Sequence, residues 1–107
     1  GGISPKIKDL KDFSKMKKPK DISIDNAFTD LVWSDPYEYI ESGYVSNPRG
    51  LGVYFSQKSL DKFLDLNYLQ FMIRSHEECK AGYKWSFDNR RCLTIFSNSN
   101  YCYNCFY

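Results

Sequence analysis

Apolar side chains recur along this chain at two different spacings, and the changes of period divide it into elements. Behind Ser4-Pro5, the residues Ile7, Leu10, Phe13 and Met16 follow one another at three-residue intervals. That pattern predicts a helix capped by Ser4, with Pro5 in its first position and Pro19 closing it. The lysines in between (Lys6, Lys8, Lys11, Lys15, Lys17, Lys18 and Lys20) read as a solvated face running into a loop rather than as a binding patch. Asp25 would cap a second short helix with Phe28, Leu31 and Val32 turned inward. This helix has to end by Asp35, because Pro36 disfavours helical geometry in the residue before it. Residues 37–52, with Gly43, Pro48, Gly50 and Gly52, hold no period. They predict a long ordered loop, a feature usually tied to function in a compact domain.

Downstream the period changes repeatedly. Val53, Tyr54 and Phe55 suggest a short strand, and Leu60, Phe63 and Leu64 an amphipathic helix ending near Asn67. Leu69, Phe71 and Ile73 alternate as a strand. Tyr83, Trp85 and Phe87 alternate again, and Asp88-Asn89-Arg90-Arg91 turns the chain into Leu93 to Phe96, which predicts a hairpin. Residues 97–107 are polar and aromatic without period, and no internal repeat is visible. Helices with strands crossing between them, followed by meandering strands, suit a mixed sheet of α/β or α+β type. A sheet with so few strands has unpaired edges, which suggests missing chain.

Composition narrows the choice of function. At 107 residues the chain is one domain or part of one. Fifteen Lys and Arg against thirteen Asp and Glu leave +2, so no large basic field for nucleic acid and no acidic tail is present. The 42% apolar and 18% aromatic content argues against disorder. Apolar runs are only a few residues long, far short of the roughly 20 that cross a bilayer. The chain starts at Gly1 and not at Met, which points to a removed upstream segment or a piece of a longer protein. Cys102-x-x-Cys105 has the spacing of half a zinc ribbon, but Cys79 and Cys92 do not supply a second such pair and His76 is the only histidine. Reduced thiols in an intracellular protein are the favoured reading, with a zinc-binding module on Cys102 and Cys105 as a weaker one.

Three residues stand out as candidate chemistry. His76 comes just past the 69–73 strand pattern, where open α/β sheets place ligand sites, although a lone histidine there is more often a hydrogen-bonded structural residue. Arg49 sits in Asn47-Pro48-Arg49-Gly50, a stiffened loop that would present a planar fork to phosphate. Asp35, between Trp33 and Pro36, could orient a basic partner or merely cap a turn. One imidazole and one guanidinium cannot by themselves hold a pair of metals.

Six segments become specific together: Gly-Gly-Ile-Ser-Pro at 1–5, Leu-Val-Trp-Ser-Asp-Pro at 31–36, Ser-Asn-Pro-Arg-Gly-Leu-Gly at 46–52, Ile-Arg-Ser-His-Glu at 73–77, Gly-Tyr-Lys-Trp at 82–85 and Leu-Thr-Ile-Phe-Ser-x-x-Asn-Tyr-Cys-Tyr-x-Cys at 93–105. In this order they closely resemble the carboxyl-terminal half of the catalytic domain of the phosphoprotein phosphatases, in the form found in the type 2A group with its type 4 and type 6 relatives. The resemblance covers essentially the whole chain. It implies an incomplete calcineurin-like metallophosphoesterase β-sandwich flanked by helices, with residues 1–107 as a single partial domain. It also implies hydrolysis of phosphoserine and phosphothreonine in proteins by a pair of divalent ions of Mn or Fe/Zn type. By match, His76 is a ligand of the second metal, Arg49 a phosphate clamp and Tyr101 the loop tyrosine over the substrate cleft, with Asp35 and Asn100 in support. The family's GDxHG, GDxVDRG and GNHE motifs, which carry most of the ligands, are absent, so the chain alone is expected to be inactive. Partners would be phosphoprotein substrates and regulatory or scaffold subunits, with no nucleic acid or membrane, and the setting cytoplasmic or nuclear.

Departures from the family pattern matter as well. Ser97-Asn98-Ser99-Asn100 stands where the family has Ser-Ala-Pro-Asn, which would loosen the loop. Ser56 replaces a usual glycine, so a positive φ there would be strained. The chain ends shortly after Cys105, without the family's further strands and tail. It therefore reads as a truncated gene model, a piece of a longer chain or a degenerate copy, the last being a catalytically inactive protein-interaction module.

Overall fold

The computed structural model describes residues 1–22, 26–99 and 101. Among them run α1 (Lys11–Lys15), α2 (Ala27–Trp33), β1 (Asp35–Pro36), β2 (Tyr44–Ser46), β3 (Val53–Phe55), α3 (Gln57–Leu66), β4 (Met72–Arg74), β5 (Tyr83–Ser86) and β6 (Cys92–Ile95). The mixed α+β class expected from the pattern is the class found, with two small sheets. Each sheet has three strands, in the orders β1-β3-β2 and β4-β6-β5. In both, the strand that comes last in sequence lies in the middle, parallel to one neighbour and antiparallel to the other. Asp35 pairs with Tyr54, and Arg74 with Thr94, which sets two charged residues of the site on ladder positions.

The core forms where the sheets and α3 meet. Ile3, Phe55, Leu60, Leu64, Phe87 and Cys92 cluster there, with Tyr44, Phe63 and Met72 packed around them. Leu60 and Leu64 lie four apart on α3, so both face inward, as the helical spacing predicts. Phe87 reaches the core by leaving the strand. Its φ of 67° turns the chain out of the β5 pleat and swings the ring to 6.4 Å from that of Phe55.

Four expectations are corrected. The first helix does not begin at Ser4. Ser4 Oγ donates to Asp30 Oδ2 at 2.6 Å and accepts from the Lys6 amide, so residues 4–7 form a turn. Helix α1 is one short stretch without a side-chain cap, and Leu10 and Phe13 are exposed. Asp25 lies outside the described residues; Asn26 caps α2, accepting from the Phe28 amide at 2.8 Å. The residues of α2 that are buried are Thr29 and Asp30, not Val32, because Asp30 is drawn in by Ser4. The expected loop at 37–52 contains β2, whose three residues were too few to show a period. The strand expected at 69–73 is the shorter β4, and the alternating face of Leu69, Phe71 and Ile73 is exposed while Arg74 is buried.

Ser56 carries none of the strain that its replacement of glycine made conceivable. Its φ is −82°, and it caps α3 by accepting from the Ser59 amide at 3.1 Å. Ser56→Ala should therefore lower stability by about 1 kcal/mol, and Ser56→Gly by a few tenths, read from urea denaturation midpoints. Cys92 gives a second test. Burial pushes its thiol from 9.0 up to about 11, against the opposing pull of Arg74. Above about pH 9 the unfolded chain surrenders this proton while the folded chain keeps it, so stability falls as pH rises toward 11. The midpoint loss between about pH 8 and 11 should be smaller in Cys92→Ala than in the parent.

Candidate active site

Asp35 is the point on which the site converges. It begins β1, directly after α2, and is 1% exposed. Oδ1 accepts from Arg74 Nη2 at 2.7 Å; Oδ2 accepts from Asn47 Nδ2 at 2.8 Å and lies 3.2 Å from Arg49 Nε. One buried carboxylate thus holds two guanidinium groups, and an amide completes its shell. Gly52 makes the close approach possible. Its φ is +71°, and a Cβ there would lie 2.7 Å from backbone atoms of Trp33 and Ser34, immediately before Asp35.

Arg49 is fixed by its turn. The Gly50 amide donates to the Asn47 carbonyl at 3.0 Å, and the Arg49 amide donates to Asn47 Oδ1 at 3.0 Å. Pro48 presets the second position of this turn and Asn47 braces it from its side chain, which is the stiffening that the sequence suggested. Arg49 stays partly exposed, with a side-chain exposure of 39%. It can therefore meet a ligand from solvent.

His76 follows β4 by two residues and holds a left-handed φ of 88°, unusual for a side chain with a Cβ. Its ring packs edge-on against Trp33, with centroids 5.0 Å apart. Nε2 lies 3.0 Å from Arg49 Nη1. A guanidinium has only hydrogens to give, so Nε2 accepts with its lone pair and the ring is neutral. The electrostatics agree: partial burial lowers the imidazole pKa, and Arg49 pushes it the same way. A cavity of about 530 Å³ beside it is lined by Leu31, Val32, Met72, Ser75 and His76, among others.

Of the residues singled out in the sequence, Asp35, Arg49 and His76 come together. Tyr101 packs edge-to-face on Phe96, with centroids 5.1 Å apart. Asn100, Cys102 and Cys105 lie outside the described residues. Sequence reasoning missed Asn47 as a brace and Arg74 altogether. Arg74 donates through Nε to the Gly1 carbonyl, through Nη1 to Glu77 and Thr94, and through Nη2 to Ser34 and Asp35. A charge at the inward position of an apolar strand, two residues before His76, was the available signal.

An unprotonated imidazole nitrogen suits a divalent ion, yet here its lone pair is committed to Arg49. Among the described residues, no group of three His, Cys, Asp or Glu side chains is placed to hold a metal. These residues alone do not fit a dinuclear centre.

No family model matches the chain. Individual proteins do match. The serine/threonine-protein phosphatase sitA of Aspergillus fumigatus is 41% identical over 105 residues, 98% of this chain and 26% of that protein. The serine/threonine-protein phosphatase ppe1 of Schizosaccharomyces pombe is 39% identical over 98% of this chain and 34% of its own length. The serine/threonine-protein phosphatase 4 catalytic subunit of Kluyveromyces lactis is 37% identical over 98% of this chain and 33% of its own length. Among solved structures, a protein serine/threonine phosphatase from Saccharomyces cerevisiae, with similarity to human phosphatase PP5, superposes with a TM-score of 0.79 at 33% identity, covering 95% of this chain and 31% of that one. The homologues of this chain are thus serine/threonine protein phosphatases of the type 2A-like kind, a class of metal-dependent hydrolases, and its fold is part of theirs. The chain spans about a quarter to a third of the relatives it matches, 26% and 34% in the first two.

Asp35→Asn keeps the shape but removes the charge that Arg74 and Arg49 share. Breaking a buried pair in this way should cost about 3–5 kcal/mol, seen as a lowered guanidinium denaturation midpoint with an unchanged slope.

Proposed function

We propose that this chain supplies the phosphate-recognising side of a serine/threonine protein phosphatase, and that the whole protein hydrolyses phosphoserine and phosphothreonine in phosphoproteins. The observation that carries this reading is the fixed pose of Arg49. Its Nε faces Asp35 and its Nη1 faces His76, while Nη2 makes neither contact. A guanidinium held at two of its nitrogens has its plane fixed and keeps the Nη2 hydrogens for phosphoryl oxygens, where positioning and charge neutralisation supply most of the catalysis of phosphoryl transfer. Asp35 orients the fork. Tyr101, on the loop after β6, would give the substrate cleft an aromatic wall ending in a hydroxyl, with Asn100 in support.

The homology implies divalent metal, and we take it to be a pair of ions of Mn or Fe/Zn type that would activate a water for in-line attack. His76 is the one residue of this chain matched to a ligand position. Regulatory or scaffold subunits and a cytoplasmic or nuclear setting belong to the same proposal. The commitment of the His76 lone pair to Arg49 favours one second reading, a catalytically inactive interaction module.

The 107-residue chain is expected to bind inorganic phosphate weakly in calorimetry, at least about tenfold more weakly as Arg49→Ala, and to release no phosphate from an aryl phosphate with added Mn²⁺. Binding that is indifferent to Arg49→Ala would refute the clamp. Metal-dependent turnover that vanishes in His76→Ala would show that the chain is catalytic by itself.

A further inference from the structure

A second cavity, of about 410 Å³, lies between the N-terminal turn, the segment around Gly43 and α3. None of Asp35, Arg49 or His76 lines it, so it is separate from the phosphate site. Tyr44, Phe63 and Leu66 contribute its apolar surface, and Leu66 is 57% exposed. Lysines edge it from two sides: Lys8 on the N-terminal segment, and Lys58 and Lys62 on α3. Lys58 meets Glu41 at 3.4 Å, but both side chains are largely in water and the pair is weak. Among the described residues, neither Lys8 nor Lys62 forms an ion pair. Burial raises the Tyr44 phenol above its usual pKa, against the opposing effect of a hydrogen bond with Ser59.

We propose that this groove docks an acidic peptide segment of a partner protein, a large apolar side chain entering against Phe63 and Leu66 while flanking carboxylates meet Lys8 and Lys62. Shape and charge together select this occupant. A concave apolar floor rewards a single inserted anchor, whereas cations on opposing walls reward negative charge on both sides of it. The net charge of +2 supplies no broad field for a polyanion, so the positive potential matters here because it is local.

The test uses the full chain and a fluorescein-labelled peptide with one Trp flanked by Asp and Glu, followed by anisotropy. Binding is expected, weakened at least about tenfold by Lys62→Glu or Leu66→Ser, weakened by added salt, and unchanged by Lys84→Glu, an exposed lysine of β5 outside the groove. These residues are exposed, so the variants should fold, and far-ultraviolet circular dichroism verifies that they do. The proposal is overturned by absent binding, by equal binding of a peptide with Ala in place of Trp, or by equal weakening in Lys84→Glu. Self-association abolished by Lys62→Glu would assign the groove to a second copy, and stronger retention on anionic lipid vesicles would assign it to a membrane; either also overturns the proposal.

Discussion

Arg74 carries five N–H groups into an interior where an unmet donor is costly, and its surroundings provide an acceptor for each. The acceptors come from residues 1, 34, 35, 77 and 94, which include the N-terminal segment, the first sheet and the second. A single planar group therefore ties together parts of the chain that also share the apolar cluster of Ile3, Phe55, Phe87 and Cys92. It also places a positive charge beside the Asp35 carboxylate, which in turn holds Arg49. Without that ordered pair of cations on one anion, the exposed arginine would be a mobile surface side chain.

The interior contains more buried polar residues than buried apolar ones among those described, and no buried side-chain nitrogen or oxygen among them lacks a partner. The price of such an interior is specificity of geometry: each group is satisfied only in one arrangement. That arrangement is what a phosphate clamp needs, because a fork displaced by an ångström loses its aim.

Much of the fold was legible locally. Leu60, Phe63 and Leu64 marked α3, Val53 to Phe55 marked the central strand of the first sheet, and the turn at 88–91 marked the second hairpin. The failures have a common cause. Ser4 looked like a helix cap but bonds to Asp30, twenty-six positions away, and Arg74 drew no notice but bonds to Asp35, thirty-nine positions away. Periodicity sees neighbours and assigns the apolar face of a strand to the inside, so a buried charge inverts its answer, as it did for Leu69, Phe71 and Ile73. The site was legible in part for the same reason. Arg49 was marked by the proline and glycine around it and His76 by its place after a strand, but their meeting at 3.0 Å depends on tertiary structure.

The order of strands within the sheets bears on how the chain acquires its shape. Both sheets put the last-made strand in the middle, β3 between β1 and β2, and β6 between β4 and β5. During synthesis, the two outer strands of each sheet gain the partner they share only when that third strand emerges from the ribosome. Cys92 and Thr94, both buried on β6, thus enter as a keystone that closes the second sheet late. A nascent chain paused before that point would leave β4 and β5 without the strand they share, and their exposed edges could template pairing with neighbouring chains.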